Sequence, residues 1–119
     1  MRDFHELKVW EKAHHSVLAV YRISRSFPPN EIYILTSQIR RAAISVTSNI
    51  AEGCGRNTKT EFARFLQIAL GSACEVQYQL LLSRDLCYID RLEFQQLDSQ
   101  ISEVKRMLTG LIQKLNSPD

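Results

Sequence analysis

The sequence has little of what most secreted proteins, membrane proteins and small metal sites require. It contains four glycines and three prolines in 119 residues, which is too few for a β-sandwich with many turns. Its three cysteines form no CxxC pair, and this spacing argues against a zinc ribbon. No apolar run approaches the roughly 18 residues that a membrane-spanning helix needs. The formal net charge is only +2, so the chain as a whole is not polycationic.

The cysteines and the first residues together predict a cytoplasmic protein that does not associate with a membrane. Cys54, Cys74 and Cys87 are odd in number and widely spaced, which fits a reducing compartment better than a secreted protein. The first 15 residues, MRDFHELKVWEKAHH, are charged and lack the apolar core of a signal peptide.

Helical periodicity is what the sequence does contain, and it occurs four times. The first helix is predicted from about Glu6 to Ser26 and ends at the FPPN segment, because proline cannot continue a helix. The second is predicted from Asn30, as its N-cap, to Gly53, with Gly53 or Gly55 supplying the left-handed residue that ends it. The apolar face of this second helix is expected to contain Ile32, Leu35, Ile39, Ala42, Ala43, Val46 and Ile50.

Capping-box patterns mark the starts of the third and fourth helices, at Thr58 with Glu61 and at Asp90 with Glu93. The third helix is predicted to run to about Leu86. The fourth carries a heptad seam, formed by Phe94, Leu97, Ile101, Val104, Leu108, Leu111 and Leu115. Since short loops favour antiparallel neighbours, residues 1–119 are predicted to form one all-α domain, an antiparallel up-down-up-down four-helix bundle.

A search for enzymatic or metal-binding patterns gives none that is complete. Glu11-x-x-His14 has the spacing of a di-iron site in a helical bundle, but the second Glu-x-x-His that such a site needs is absent. All three histidines lie within residues 5–15, and nothing in the sequence brings a general base to a cysteine. We therefore expect a protein that is not an enzyme and that uses no metal or cofactor.

Polar residues border the apolar stripes of the second and third helices, as a row of Gln38, Ser45, Asn49 and Glu52 and a second row of Ser72, Glu75 and Gln79. Two interpretations stay open: a solvated flank, or a buried network whose charged members pair with each other. On the second interpretation, Glu75 is expected to be at least half buried and to pair with Arg40 or Arg41, within one subunit or between two.

The second helix also has apolar groups away from its main stripe, at Tyr33, Ile44 and Ala51. A bundle helix with two apolar sides suggests a second packing partner, which in a small single-domain protein is most often another copy of the chain. These three residues are the predicted subunit interface.

Three stretches resemble a known family: FHELKVWEKAHHSVLAVY from Phe4 to Tyr21, QIRRAAISVTSNIAEGCGR from Gln38 to Arg56, and EFARFLQIALGSACEVQYQL from Glu61 to Leu80. Together with the last helix they are similar to the 23S rRNA intervening-sequence proteins. The resemblance implies an antiparallel bundle that assembles into a ring of identical subunits, with five as the expected number, and no enzymatic activity. A similar bundle is the accessory protein of diversity-generating retroelements, which works with nucleic acid.

The basic residues suggest a binding surface at the corner between the second and third helices. Arg40, Arg41, Arg56, Lys59 and Arg64 are predicted to cluster there, against Glu52 and Glu61. A ring would repeat this patch in every subunit, and repeated basic patches bind a polyanion such as RNA by avidity. The alternative hypothesis is a scaffold that binds another protein and has no nucleic-acid role.

Overall fold

The computed structural model describes residues 2–118, and these form four long helices and no strand. The helices are α1 (Lys8–Ser24), α2 (Leu35–Cys54), α3 (Lys59–Asp85) and α4 (Arg91–Asn116). Short 3-10 turns at Phe4–Glu6 and Pro29–Glu31 precede α1 and α2. The molecule measures 49 × 23 × 20 Å, so the helices lie side by side along its length.

Contacts between the helices, and between the segments that connect them, confirm the predicted four-helix bundle. Each helix packs against the next one in the chain, and α1 also packs against α4. At one end, the Tyr88 hydroxyl between α3 and α4 donates to Glu31 Oε2 between α1 and α2, over 2.7 Å. At the other end, the backbone N–H of Arg2 donates to the carbonyl of Cys54, over 3.1 Å. The chain therefore runs up, down, up and down.

The core follows the helical periodicity of the sequence. The α4 seam is buried at Leu97, Ile101, Val104 and Leu108, and Leu111 and Leu115 pack against it from the edge. Burial of this apolar surface is the main force that holds four separate amphipathic helices together. The largest side chains that are almost fully enclosed include Phe62, Ile39, Ile50, Leu66, Leu80, Ile101 and Leu108.

The predicted start of α2 at Asn30 is wrong, because the helix begins at Leu35. After the two prolines the backbone closes a 3-10 turn at Pro29–Glu31, and Ile34 then leaves the helical region with φ −118° and ψ −100°. Ile32 is consequently 48% exposed and is not part of the core stripe. This break leaves three consecutive apolar residues, Ile32, Tyr33 and Ile34, on the surface at the start of α2.

Both predicted N-caps are present. The Thr58 hydroxyl accepts from the Glu61 backbone N–H over 3.1 Å, although the Glu61 carboxylate contacts Arg64 instead of reaching back. At Asp90 the capping box is complete: its carboxylate accepts from the Glu93 backbone N–H, and the Glu93 carboxylate accepts from the Asp90 backbone N–H. These bonds satisfy N–H groups that a helix start otherwise leaves without partners.

The prediction that Gly53 or Gly55 adopts a left-handed conformation is also wrong. Gly55 ends α2 with φ −85°, and no glycine in residues 2–118 has a positive φ. The left-handed residue is Cys87, with φ 64°, just after α3. Its N–H donates to Arg84 O and the N–H of Tyr88 donates to Ser83 O, which is the bonding pattern of a Schellman helix end.

Replacing Cys87 by glycine is expected to raise the free energy of unfolding. A left-handed backbone costs an L-residue roughly 1–2 kcal/mol and costs glycine almost nothing, while glycine loses about 0.5–1 kcal/mol of chain entropy on folding. We expect a net gain of about 0.5–1 kcal/mol in urea unfolding. The neighbouring Leu86→Gly is the control, because Leu86 has φ −83° and gains nothing from glycine. Equal losses from both substitutions would contradict the assignment of strain to Cys87.

Candidate functional site

The corner between α2 and α3 holds two arginines on one aromatic ring. Arg56 follows the end of α2, and Arg64 lies in the second turn of α3. The Cζ atoms of both guanidinium groups lie 4.6 Å from the centroid of the buried Phe65 ring. Cation–π contact and packing of the two stems hold these side chains next to each other at the surface. Lys59 begins α3 at the same corner and is exposed.

Each of these arginines forms an ion pair with one carboxylate and stays partly exposed. Arg56 Nη2 lies 3.4 Å from Glu52 Oε1, and Arg64 Nε lies 3.0 Å from Glu61 Oε2. The hydrogen bond from Arg64 lowers the pKa of Glu61 and raises the pKa of Arg64. All four side chains are more than two-fifths exposed. Since a guanidinium carries five N–H donors, each arginine retains donors that face solvent.

Arg2 also lies at this corner, which the sequence did not predict. Its Cζ lies 4.5 Å from the centroid of the Phe62 ring, and its backbone N–H donates to Cys54 O. The N-terminal segment therefore passes over the end of α2 and the start of α3. More than 50 residues separate Arg2 from this surface in the chain, and no local pattern signals such a contact.

Arg40 and Arg41 do not belong to the corner, so that part of the predicted cluster is wrong. They lie in the first half of α2, and about 20 Å of helix separates Arg41 from Cys54 at the usual rise of about 1.5 Å per residue. Arg40 Nε donates to Ser24 Oγ over 2.8 Å, and its Cζ lies 4.7 Å from the Tyr21 ring. Arg41 is exposed, and none of residues 2–118 forms a hydrogen bond or ion pair with its guanidinium.

Exposed apolar side chains lie just before α2 and in its first half. Tyr33 is 90% exposed, Ile34 64% and Ile44 40%. Tyr33 and Ile44 line an open groove of about 410 Å³ whose other lining residues include Arg40 and Arg41. Ala51 lies further along α2 and is half-buried. Two of the three predicted interface residues thus share one surface with two basic side chains.

The predicted polar rows form a small bridge and not one continuous network. Ser45 Oγ and Ser72 Oγ lie 2.8 Å apart across α2 and α3, and Asn49 Nδ2 donates to Ser45 Oγ over 3.0 Å. Gln38 is exposed and outside this bridge, and Glu52 contacts Arg56. The hydroxyl bridge joins α2 to α3 beside their packed core.

The predicted pair of Glu75 with Arg40 or Arg41 does not form within one chain. Glu75 is exposed, and its Oε2 accepts from Gln79 Nε2 over 3.4 Å. Arg40 is held on α1 by Ser24 and Tyr21. The pairing between two subunits stays a prediction.

A second polar network joins α3 and α4 and was not predicted from the sequence. Gln77 Nε2 donates to Asp98 Oδ1 over 3.0 Å and to Ser102 Oγ over 2.9 Å. Lys105 Nζ donates to Gln77 Oε1 over 2.8 Å. These residues occupy two helices at spacings that carry no recognisable motif, so only the folded arrangement shows that they meet.

Neither a metal centre nor a membrane-spanning segment is found in residues 2–118. No three or more His, Cys, Asp or Glu side chains are grouped so that they hold a metal ion. His14, from the Glu11-x-x-His14 pattern, stacks on the Trp10 ring at 5.1 Å with an interplanar angle of 5°. Over the same residues, each helix is too short or too polar to cross a bilayer.

Comparison with known proteins gives matches that extend over most of the chain. A family model described as 23S rRNA-intervening sequence protein matches residues 5–110. A crystal structure from Bacteroides thetaiotaomicron VPI-5482, described as a protein with unknown function from the S23 ribosomal protein family, is 26% identical. That match covers 87% of this chain and 97% of the other, with a TM-score of 0.80. The comparison with curated proteins gives no match.

Proposed function

The chain belongs to the 23S rRNA-intervening sequence protein family, and from this premise we propose that it is a non-enzymatic RNA-binding protein that works as a ring of identical copies. The proposal places it in the cytoplasm, where its three free cysteines stay reduced. The number of copies is five, the number that the resemblance implies.

One observation carries the RNA-binding proposal: Arg56 and Arg64 are held side by side on Phe65, with donors facing solvent. Arg2 and Lys59 add two further positive charges at the same corner. Asp3, Glu52 and Glu61 offset part of that charge, so one corner alone is a weak site for a polyanion. A ring repeats the corner in every copy, and an RNA strand that bridges several corners gains affinity from each.

We expect Arg56→Gln/Arg64→Gln to weaken binding to single-stranded RNA on the order of tenfold at 0.1 M salt, because two phosphate contacts are lost. Glutamine keeps most of each stem on Phe65 and removes the charge. The slope of log affinity against log salt is expected to shrink by about 1.4, at about 0.7 for each contact. Fluorescence anisotropy with a mixed-sequence RNA pool across a salt series measures both quantities.

The matched control is Arg91→Gln/Arg106→Gln, which removes the same charge from exposed positions in α4. We expect it to leave the slope close to that of the wild type. Equal losses in both double variants would show that net charge, and not the α2–α3 corner, determines binding. No measurable RNA binding by the wild type would reject the proposal.

A protein-binding scaffold is the second candidate, and the groove beside Tyr33 favours it. Exposed apolar side chains flanked by arginines are typical of protein interfaces, in which aromatic residues and arginine are enriched. A scaffold needs no salt-dependent RNA affinity. In the salt series with the wild-type protein, a salt-dependent RNA affinity therefore favours the RNA-binding function, and its absence favours the scaffold.

A further inference from the structure

The outward surface of α3 has almost no charge. Between residues 65 and 83 the only charged side chain is that of Glu75. Ile68 is 42% exposed and Tyr78 60%, and no atom beyond the neighbouring residues and the local helix backbone lies within 4 Å of the position that a Cβ on Gly71 would take. A helix with apolar groups on its outer side as well as its core side is normally covered on both. We call Ile68, Glu75 and Tyr78 the α3 face.

The outward surface of α2 is similar but carries the opposite charge. Between residues 32 and 51 the only charged side chains are Arg40 and Arg41, and Arg40 is directed to α1. Arg41 remains exposed, next to Tyr33 and Ile44 in the lining of the groove. We call Tyr33, Arg41 and Ile44 the α2 face.

A third observation lies beside Glu75. Gln79 is only 7% exposed, and its amide nitrogen donates to Glu75. Its Oε1 is the one buried side-chain oxygen or nitrogen in the described chain that has no hydrogen-bond partner. That oxygen is enclosed, so a donor on a neighbouring copy does not reach it, and the bond from Gln79 engages only Oε2 of Glu75. The exposed Glu75 carboxylate therefore keeps lone pairs for an incoming donor, which an arginine supplies together with a positive charge.

We propose that the α2 face of one copy packs on the α3 face of the next copy, with Arg41 of the first paired to Glu75 of the second. This rests on the self-association in the proposed function and names the surfaces that produce it. Charge decides between the possible arrangements: α2 on α2 brings Arg41 against Arg41, and α3 on α3 brings Glu75 against Glu75. Only the unlike arrangement pairs opposite charges, and such a head-to-tail contact closes into a ring when its rotation permits.

Charge reversal tests the pairing. We expect Arg41→Glu and Glu75→Arg each to convert the assembled protein to monomer in light scattering at micromolar concentration, because each sets like charges together. The double variant Arg41→Glu/Glu75→Arg restores opposite charges and is expected to recover the assembled mass. Arg106→Glu makes the same charge change on an exposed part of α4 and is expected to stay assembled. Far-ultraviolet circular dichroism verifies that every variant is helical.

Several results would overturn the pairing: single variants that stay assembled, a double variant that stays monomeric, or a wild type that is itself monomeric. RNA binding is measured separately on the same proteins. If assembly persists in Arg41→Glu while RNA binding follows the corner arginines, the pairing fails and the proposed function stands. If the double variant recovers assembly while the wild type binds no RNA, the pairing stands and the RNA-binding function fails.

Discussion

Phe62→Ala is expected to lower the free energy of unfolding by about 3–5 kcal/mol, the usual cost of removing a buried phenylalanine ring. Phe62 is 1% exposed and lies at the start of α3, against the end of α2. Arg2 stacks on the same ring, so the substitution also removes a contact that holds the N-terminal segment. Urea unfolding followed by circular dichroism at 222 nm measures the change.

Leu18→Ala is the control for this prediction. Leu18 is 52% exposed on α1, and alanine is a good helix former, so the expected change is within about 0.5 kcal/mol. A loss below about 1 kcal/mol for Phe62→Ala would mean that the corner collapses around the missing ring. In that case the two arginines on the adjacent Phe65 would not be rigidly placed, and the argument for a preformed binding corner would weaken.

The four helices could be predicted because each buries one stripe, and a stripe is a property of the local sequence. The start of α2 could not be predicted in the same way, since Ile32 falls on the helical arc of Leu35 and Ile39. What removes Ile32 from the core is the 3-10 turn after the prolines and the dihedral angles of Ile34, both of which depend on how the chain enters the bundle. Periodicity identifies faces well and helix ends poorly.

The candidate site was only partly predictable, for a related reason. Arg56, Lys59 and Arg64 are close in sequence, and the corner keeps them close in space. Arg40 and Arg41 are near Arg56 in the chain but a long way along a rigid helix from it. Arg2 is distant in the chain and near in space. Linear proximity therefore predicts a surface cluster across a short turn and fails along a helix.

Gly53→Ala is expected to lower the free energy of unfolding, although alanine is the better helix former. Gly53 lies inside α2 with a negative φ, so glycine is not needed at this position for a left-handed backbone. A Cβ at Gly53 would lie 2.9 Å from Phe62 Cδ1 and 3.0 Å from Phe65 Cβ, which is closer than carbon atoms pack. Overpacking of this kind costs about 1–3 kcal/mol, against a gain of about 0.5–1 kcal/mol from replacing a helical glycine. The loss therefore exceeds the gain when α2 and α3 cannot separate.

Gly110→Ala is the matched control, because Gly110 lies in α4 and no atom beyond the neighbouring residues and the local helix backbone is within 4 Å of the position that its Cβ would take. The same substitution there is expected to raise the free energy of unfolding by about 0.5–1 kcal/mol. Opposite signs at the two sites, measured in urea, would show that Gly53 serves close approach of α2 to α3. Equal gains would contradict it. Since Phe65 carries both Arg56 and Arg64, the proposed RNA binding is expected to show a smaller salt slope in Gly53→Ala, where Phe65 is displaced, and an unchanged slope in Gly110→Ala.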